Sequence, residues 1–365
     1  MRRFATLALL AAVALLPAGV RAAACSPLDC APSQFVLARG TMLAVRGAVD
    51  QPLRVIDLRT GRTRWRLPPG VVSGDTLVHQ DGRLLTWFDL ARGSRTGDAV
   101  LQQHGAFSLV GVSQDARRAV LARTQRRSTA FAVVSRRFQR IVKLGGSDWS
   151  FDALNGPRLY FIRTLRVGYE VRLYDLAADR LDPRPLKDPR ESAVISGVPF
   201  ARVSSPNGRY LFTLYVGSNG GAMVHELDTL AGSAHCIDLP GGGAFDAATT
   251  WALAPDADGS TLWAVDVGYG RLVAIDVAAH VVREHASFAA GAWTPNAGVA
   301  VLAPDGQHLA VTDAQHTWLV NLATLRVARG RSHVAIALGI SPDERRLWVV
   351  GERSRVSALP LPWVR

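Results

Sequence analysis

Lysine is nearly missing from this 365-residue chain: of 42 basic residues only Lys143 and Lys187 are lysine, and the others are arginine. Such a bias follows genomic base composition as readily as any demand for guanidinium chemistry. Cysteine is as scarce, with Cys25, Cys30 and Cys236 alone. No Cys/His cluster with metal-ligand spacing exists, and no two cysteines are adjacent. Beyond the first 24 residues there is no long uncharged apolar run and no helix-length amphipathic segment. Low-complexity tracts and linkers are also missing, so the chain after its amino terminus reads as one large domain.

The amino terminus reads MRRFATLALLAAVALLPAGVRAAAC. Two arginines, a short apolar run and small residues before position 25 are the pattern of an export signal over residues 1–24. Residues 25–34 then form a tail, and the protein is expected in the periplasm or outside the cell, at the cell surface if anchored. Cleavage after Ala24 exposes Cys25, where a lipid anchor is an alternative to ordinary secretion. Cys25 and Cys30 in CSPLDC are the candidate disulfide, and lipidation of Cys25 would exclude it. Cys236 reads as a buried thiol. The formal net charge is +12, which favours anionic partners such as envelope polymers by long-range attraction. No reader motif for nucleic acid is present, and none is expected as a partner.

Turn residues recur. SPNGRYLFTLYV begins at Ser205, APDADGSTLWAVDV at Ala254, APDGQHLAVTD at Ala303 and SPDERRLWVV at Ser341. More degenerate units begin with GVSQDARRAVLARTQ and FDALNGPRLYFIRT, and two more occupy residues 35–70 and 71–104. Each runs strand, turn, strand, loop, third strand, turn, fourth strand, in short stretches rich in aromatic and branched residues. Four-stranded units at this period are blades of a β-propeller, in which each blade needs its neighbours to cover its faces. The expectation is an all-β fold: a single propeller of four-stranded antiparallel blades over residues 35–365, with eight blades preferred and seven open. Pro360 and Pro362 remove donors from one edge, so an amino-terminal strand completing the last blade is disfavoured.

An acid recurs near the end of the third strand: Asp57, Asp89, Asp175, Glu226 and Asp276, with Asn321 and Ser135 in its place elsewhere. A short acceptor there takes hydrogen bonds from the following turn, so these carboxylates read as structural rather than catalytic. The tryptophans fall within or beside strands and read as inter-blade packing.

Residues 200–350 resemble the YVTN-type and tryptophan-aspartate-type (WD40-like) propeller repeats, in the SPDG-like turn, the following apolar strand and the V-x-x-I-D-like third strand. PLRVIDLRTGRTRW at 52–65 is similar to one quinoprotein-type propeller repeat. Both resemblances imply the fold and little of the function. Quinoprotein dehydrogenases carry adjacent cysteines on their cofactor, a feature this chain does not share.

No G-x-S-x-G elbow is present, and the nine histidines are scattered over the units. Asp256-Ala-Asp258-Gly259 reads as an extended turn rather than a calcium loop. No cofactor, metal site or catalytic group is expected. Loops between second and third strands share one face with the connections between blades. They hold Arg126, Arg127, Arg163, Arg166, Asn219, Tyr269, His316, Arg353 and Arg355, together with the long connection 182–198. These are the candidate ligand- or partner-binding residues. The expected function is a non-catalytic binding or scaffold module for a protein, peptide or anionic envelope ligand. The alternative is a propeller enzyme of lactonase, lyase or quinoprotein type, with polar groups converging at the central channel.

Overall fold

The computed structural model describes residues 33–37, 40–46, 50–190, 194–216, 221–241, 251–289, 298–313, 316–332, 335–351 and 355–361. Cys25, Cys30, Asn219 and Arg353 lie outside them. The described residues contain no α-helix, and so none long and apolar enough to cross a membrane.

Eight antiparallel sheets follow one another along the chain. Blade 1 is β1 (Ser33–Leu37), β2 (Met42–Arg46), β3 (Leu53–Asp57) and β4 (Arg62–Leu67); blade 2 is β5 (Val71–Ser73), β6 (Thr76–Asp81), β7 (Leu84–Asp89) and β8 (Ser94–Val100). Blade 3 is β9 (Ser108–Val112), β10 (Ala119–Gln125), β11 (Ser128–Val134) and β12 (Gln139–Gly145); blade 4 is β13 (Trp149–Asn155), β14 (Arg158–Thr164), β15 (Tyr169–Asp175) and β16 (Arg180–Leu181). Blade 5 is β17 (Val198–Ser204), β18 (Tyr210–Val216), β19 (Ala222–Asp228) and β20 (Ser233–Asp238); blade 6 is β21 (Trp251–Pro255), β22 (Thr261–Asp266), β23 (Arg271–Asp276) and β24 (Val281–Ser287). Blade 7 is β25 (Gly298–Leu302), β26 (His308–Asp313), β27 (His316–Asn321) and β28 (Arg326–Ser332). Blade 8 has three described strands, β29 (Ala337–Ile340), β30 (Arg346–Val350) and β31 (Val356–Pro360). The count is therefore eight, and β31, which carries Pro360, has no described strand on its outer side.

The second and third strands hold most of the buried side chains, most fully in β11, where STAFAVV is buried from its second residue on. A strand covered on both faces cannot alternate. Outer strands are polar, as in RTRWRL of β4. Eight buried clusters result, each shared by two neighbouring blades, and one joins blade 8 to blade 1 through Trp348, Ala337, Leu43 and Leu58. The ring thus closes by packing. Gln34 of β1 adds two polar ties, donating to Ala300 O at 2.9 Å and accepting from Leu338 N at 2.8 Å.

Aromatic side chains staple the joints. The indole N–H of Trp65 donates to Leu90 O, that of Trp87 to Ala116 O and that of Trp348 to Leu58 O, at 2.9, 3.0 and 2.5 Å, while the Tyr160 hydroxyl donates to Thr229 O at 2.8 Å. Each bond crosses to the next blade. Gly61, at φ +69°, lies against the Trp348 ring, where a Cβ would come within 2.2 Å of it.

Turn chemistry repeats with the blades. Asp57, Asp89, Asp175 and Asp276 accept from backbone N–H groups two or three residues on, and Asn321 and Ser135 do the same. In blade 5 the residue at this position is Asp228, which accepts from Leu230 N and Ala231 N at 2.9 and 2.8 Å. Glu226 sits two residues earlier, wholly buried, so the expectation that it caps this turn is corrected. The residue four after the acceptor is left-handed in every case of the Asp/Asn series: Gly61, Gly93, Asp179, Gly232, His280 and Leu325.

Candidate functional site

Consecutive antiparallel strands put the second-to-third-strand hairpins on one face of the ring. Arg126 and Arg127 form the β10–β11 hairpin tip and are exposed, as is Arg166 in the β14–β15 hairpin. Tyr269, 43% exposed, lies in the β22–β23 hairpin with Arg271 over its ring at 5.4 Å. His316 begins β27, and exposed Arg355 precedes β31. Arg163 differs from the rest. It sits at the end of β14, bonded to Asp148 at 2.9 Å, 3.6 Å from Glu170 and over the Trp149 ring, so its charge is already matched. The face is a spread of separate arginines from different blades; among the described residues none of these side chains bonds to another.

The long connection departs from expectation. Leu186 and Ile195 bridge Val171 and Tyr169 of β15, filling the place left by two-residue β16. Asp188, with no exposed side-chain surface, holds Arg190 through two hydrogen bonds and accepts from Cys236 N at 3.1 Å. The Arg190 guanidinium keeps the Asp188 carboxyl well below the usual range. This segment is a structural strap between blades 4 and 5. Cys236 is half-buried rather than buried.

Beneath the strap lies a titratable cluster that the repeat pattern does not reveal. The His235 and His280 rings stack at 3.5 Å and 11°, and His280 Nδ1 is 3.1 Å from Glu226 Oε1. Burial, aided by the Asp228 charge, pushes Glu226 up to about 8; burial also lowers both histidines. Among the described residues neither Glu226 oxygen nor His280 Nδ1 makes a hydrogen bond, and the parallel rings do not aim their in-plane lone pairs at one common point.

One trio among the described residues has ligating atoms within 4.8 Å of one another: Asp305, His308 and Glu344, from the first turns of blades 7 and 8. His308 Nδ1 is 2.6 Å from Asp305 Oδ2, and Asn321 Nδ2 is 3.3 Å from His308 Nε2. Asn321 Oδ1 is committed to Thr324, so the amide must donate to Nε2 and the ring proton resides on Nδ1. Both ring nitrogens are thereby met from within the protein, and an ion here would have to displace that proton. The trio lies on the face opposite the arginine hairpins.

On that same opposite face, blade 3 has a shallow groove of about 370 Å³ lined by Asp115, Arg117, Arg118, Ser135 and Phe138. Sequence reading missed it, because its two turns are 17 residues apart and only the blade brings them together.

No protein-family model matches this chain, and no curated protein does. Solved structures do. Dihydro-heme d1 dehydrogenase NirN in complex with DHE aligns over 92% of this chain and 78% of its own, at 15% identity and a TM-score of 0.51. AztD of Citrobacter koseri aligns over 82% and 87%, at 13% and 0.52. The Dos1 propeller aligns over 91% and 94%, at 9% and 0.51. At such identities the likeness is one of fold.

Proposed function

We propose that this protein is an exported, non-catalytic β-propeller that binds a protein, peptide or anionic envelope ligand on the face of its second-to-third-strand hairpins. The observation that carries the reading is the exposure of Arg126, Arg127, Arg166, Tyr269 and Arg355 on hairpins of four blades facing the same way. Rigid sheets fix these loops, and dispersed guanidinium and phenol groups suit a broad contact better than a small substrate. Export is supported by residues 1–24.

The test is cross-linking of the mature protein in an envelope fraction, with Arg126, Arg127, Arg166 and Arg355 replaced by Ala in a folded variant. At least a tenfold loss of the principal cross-linked species is expected. An unchanged cross-linking pattern would remove this face from consideration.

A further inference from the structure

Charge is not shared evenly around the ring. Residues 108–145, which make up blade 3, hold nine Arg or Lys and one acid, Asp115, whereas residues 251–287 of blade 6 hold two basic residues and five acids. An arginine-rich composition alone would spread the charge over all eight blades. The excess is largest on blade 3, ahead of blade 1, where residues 33–67 hold seven arginines and two acids.

Five of the nine, Arg117, Arg126, Arg127, Arg137 and Lys143, are exposed, and none makes a side-chain hydrogen bond or ion pair among the described residues. Three others are engaged, Arg123 with His104 O, Arg136 with Thr96 O, and Arg140 with Leu176 O and, at 3.4 Å, Asp179, while half-buried Arg118 lines the groove. Asp115, beside Arg118 and Arg117, offsets one charge at the groove end and leaves the blade with a formal excess of +8. Its carboxylate accepts from Ser113 Oγ at 2.5 Å and from Arg117 N at 3.1 Å, bonds that outweigh burial and hold it ionised as part of the turn.

Their placement is linear. Arg117 lines the groove on one face of the ring together with Arg118, and Arg137 lies in the turn next to Phe138, which is 43% exposed. Outer strand β12 then runs from Gln139 to Gly145 across the rim, carrying Lys143. At its far end Gly146 N donates to Arg127 O at 2.9 Å, placing the Arg126–Arg127 tip on the opposite face. Seven residues of strand span about 23 Å. One small anion needs two of these groups; five along such a path match a chain of repeated anionic groups.

We propose that the rim of blade 3 is a docking track for an acidic polysaccharide, with Phe138 packing on a sugar ring at the groove end. A flat anionic bilayer would meet one end of a track that turns over the rim from face to face. Single-stranded nucleic acid asks for successive exposed aromatic rings, and Phe138 is the one on this path. The track shares Arg126 and Arg127 with the hairpin face described above but does not rest on that reading, because its groove end lies on the other side of the ring.

The experiment measures binding of the mature protein to a heparin decasaccharide across a salt series. Affinity falling steeply with salt is expected, as for any multi-site polyanion contact. Arg117→Gln/Arg137→Gln/Lys143→Gln should weaken binding at least tenfold. A charge-matched variant on blade 1, Arg59→Gln/Arg62→Gln/Arg66→Gln, and the hairpin variant Arg166→Gln/Arg355→Gln should each stay within twofold of wild type. Equal weakening by the blade 1 and blade 3 triples would reduce the effect to net charge and overturn the proposal. So would binding to phosphatidylglycerol vesicles or single-stranded DNA as tight as to the decasaccharide, or no binding at low salt. Phe138→Ala, which removes no charge, should weaken binding several-fold without altering the salt slope.

Discussion

Glu226 is a wholly buried carboxyl two residues before the turn acceptor of its blade. It lies against His280, and burial raises its pKa from an ordinary 4.5 to about 8. The folded state therefore binds a proton between about pH 4.5 and 8 that the unfolded chain has released. Stability from this group is fully present below 4.5 and is lost as pH rises through about 8. Thermal unfolding of wild type and Glu226→Gln at pH 6 and pH 9 should show a smaller fall in Tm for the variant; parallel falls would remove Glu226 as the source. Histidines act with the opposite sign. His225, buried against Tyr215, is lowered to about 4, and the stability it contributes at neutral pH is lost as pH falls from 6.5 towards 4.

At the scale of the element, two turn types recur, and both place one residue in the left-handed region. The first turn of blades 3, 5 and 8 repeats one hydrogen-bond set: the hydroxyl of Ser113, Ser205 or Ser341 bonds the Asp or Asn two residues on and accepts from a backbone N–H five residues on. The left-handed residue is Gly208 in blade 5, Gly259 in blade 6 and Gly306 in blade 7, but Ala116 in blade 3 and Glu344 in blade 8. A Cβ at positive φ costs about 1 kcal/mol. Ala116→Gly should therefore raise stability by about 0.5 kcal/mol in urea unfolding, the gain being reduced by the added freedom of the unfolded chain and a lost methyl contact. A loss of stability would show that the Ala116 methyl, packed beside the cluster shared by blades 2 and 3, outweighs the strain.

For the whole molecule the decisive feature is closure without a strand exchanged between first and last blades among the described residues. Blade 1 meets blade 8 through side chains and Gln34, whose amide ties β1 to both blade 7 and blade 8. Gln34→Ala strands a donor and an acceptor near the axis and should cost about 2 kcal/mol. Hydrogen exchange should accelerate first in β29 and β30, while blades 3 to 5 stay protected. Uniform acceleration around the ring would mean that closure is not the weak joint.

Blade order, strand order and the turn acceptors were legible in the primary structure, because periodic burial and Asp or Gly at fixed offsets act within a few residues of where they stand. Glu226 against Asp228 was the exception: both are acids near a strand end, and only the register of β19 with β20 decides which one meets the turn. The hairpin arginines were legible as a face, but the Arg163–Asp148 pairing was not. What the tertiary structure alone decided is contact between blades: the strap on β15, the stacked histidines above Glu226, and the alignment of blade 3's turns and outer strand into one basic track. Those contacts depend on how adjacent sheets splay and twist, which no single repeat encodes.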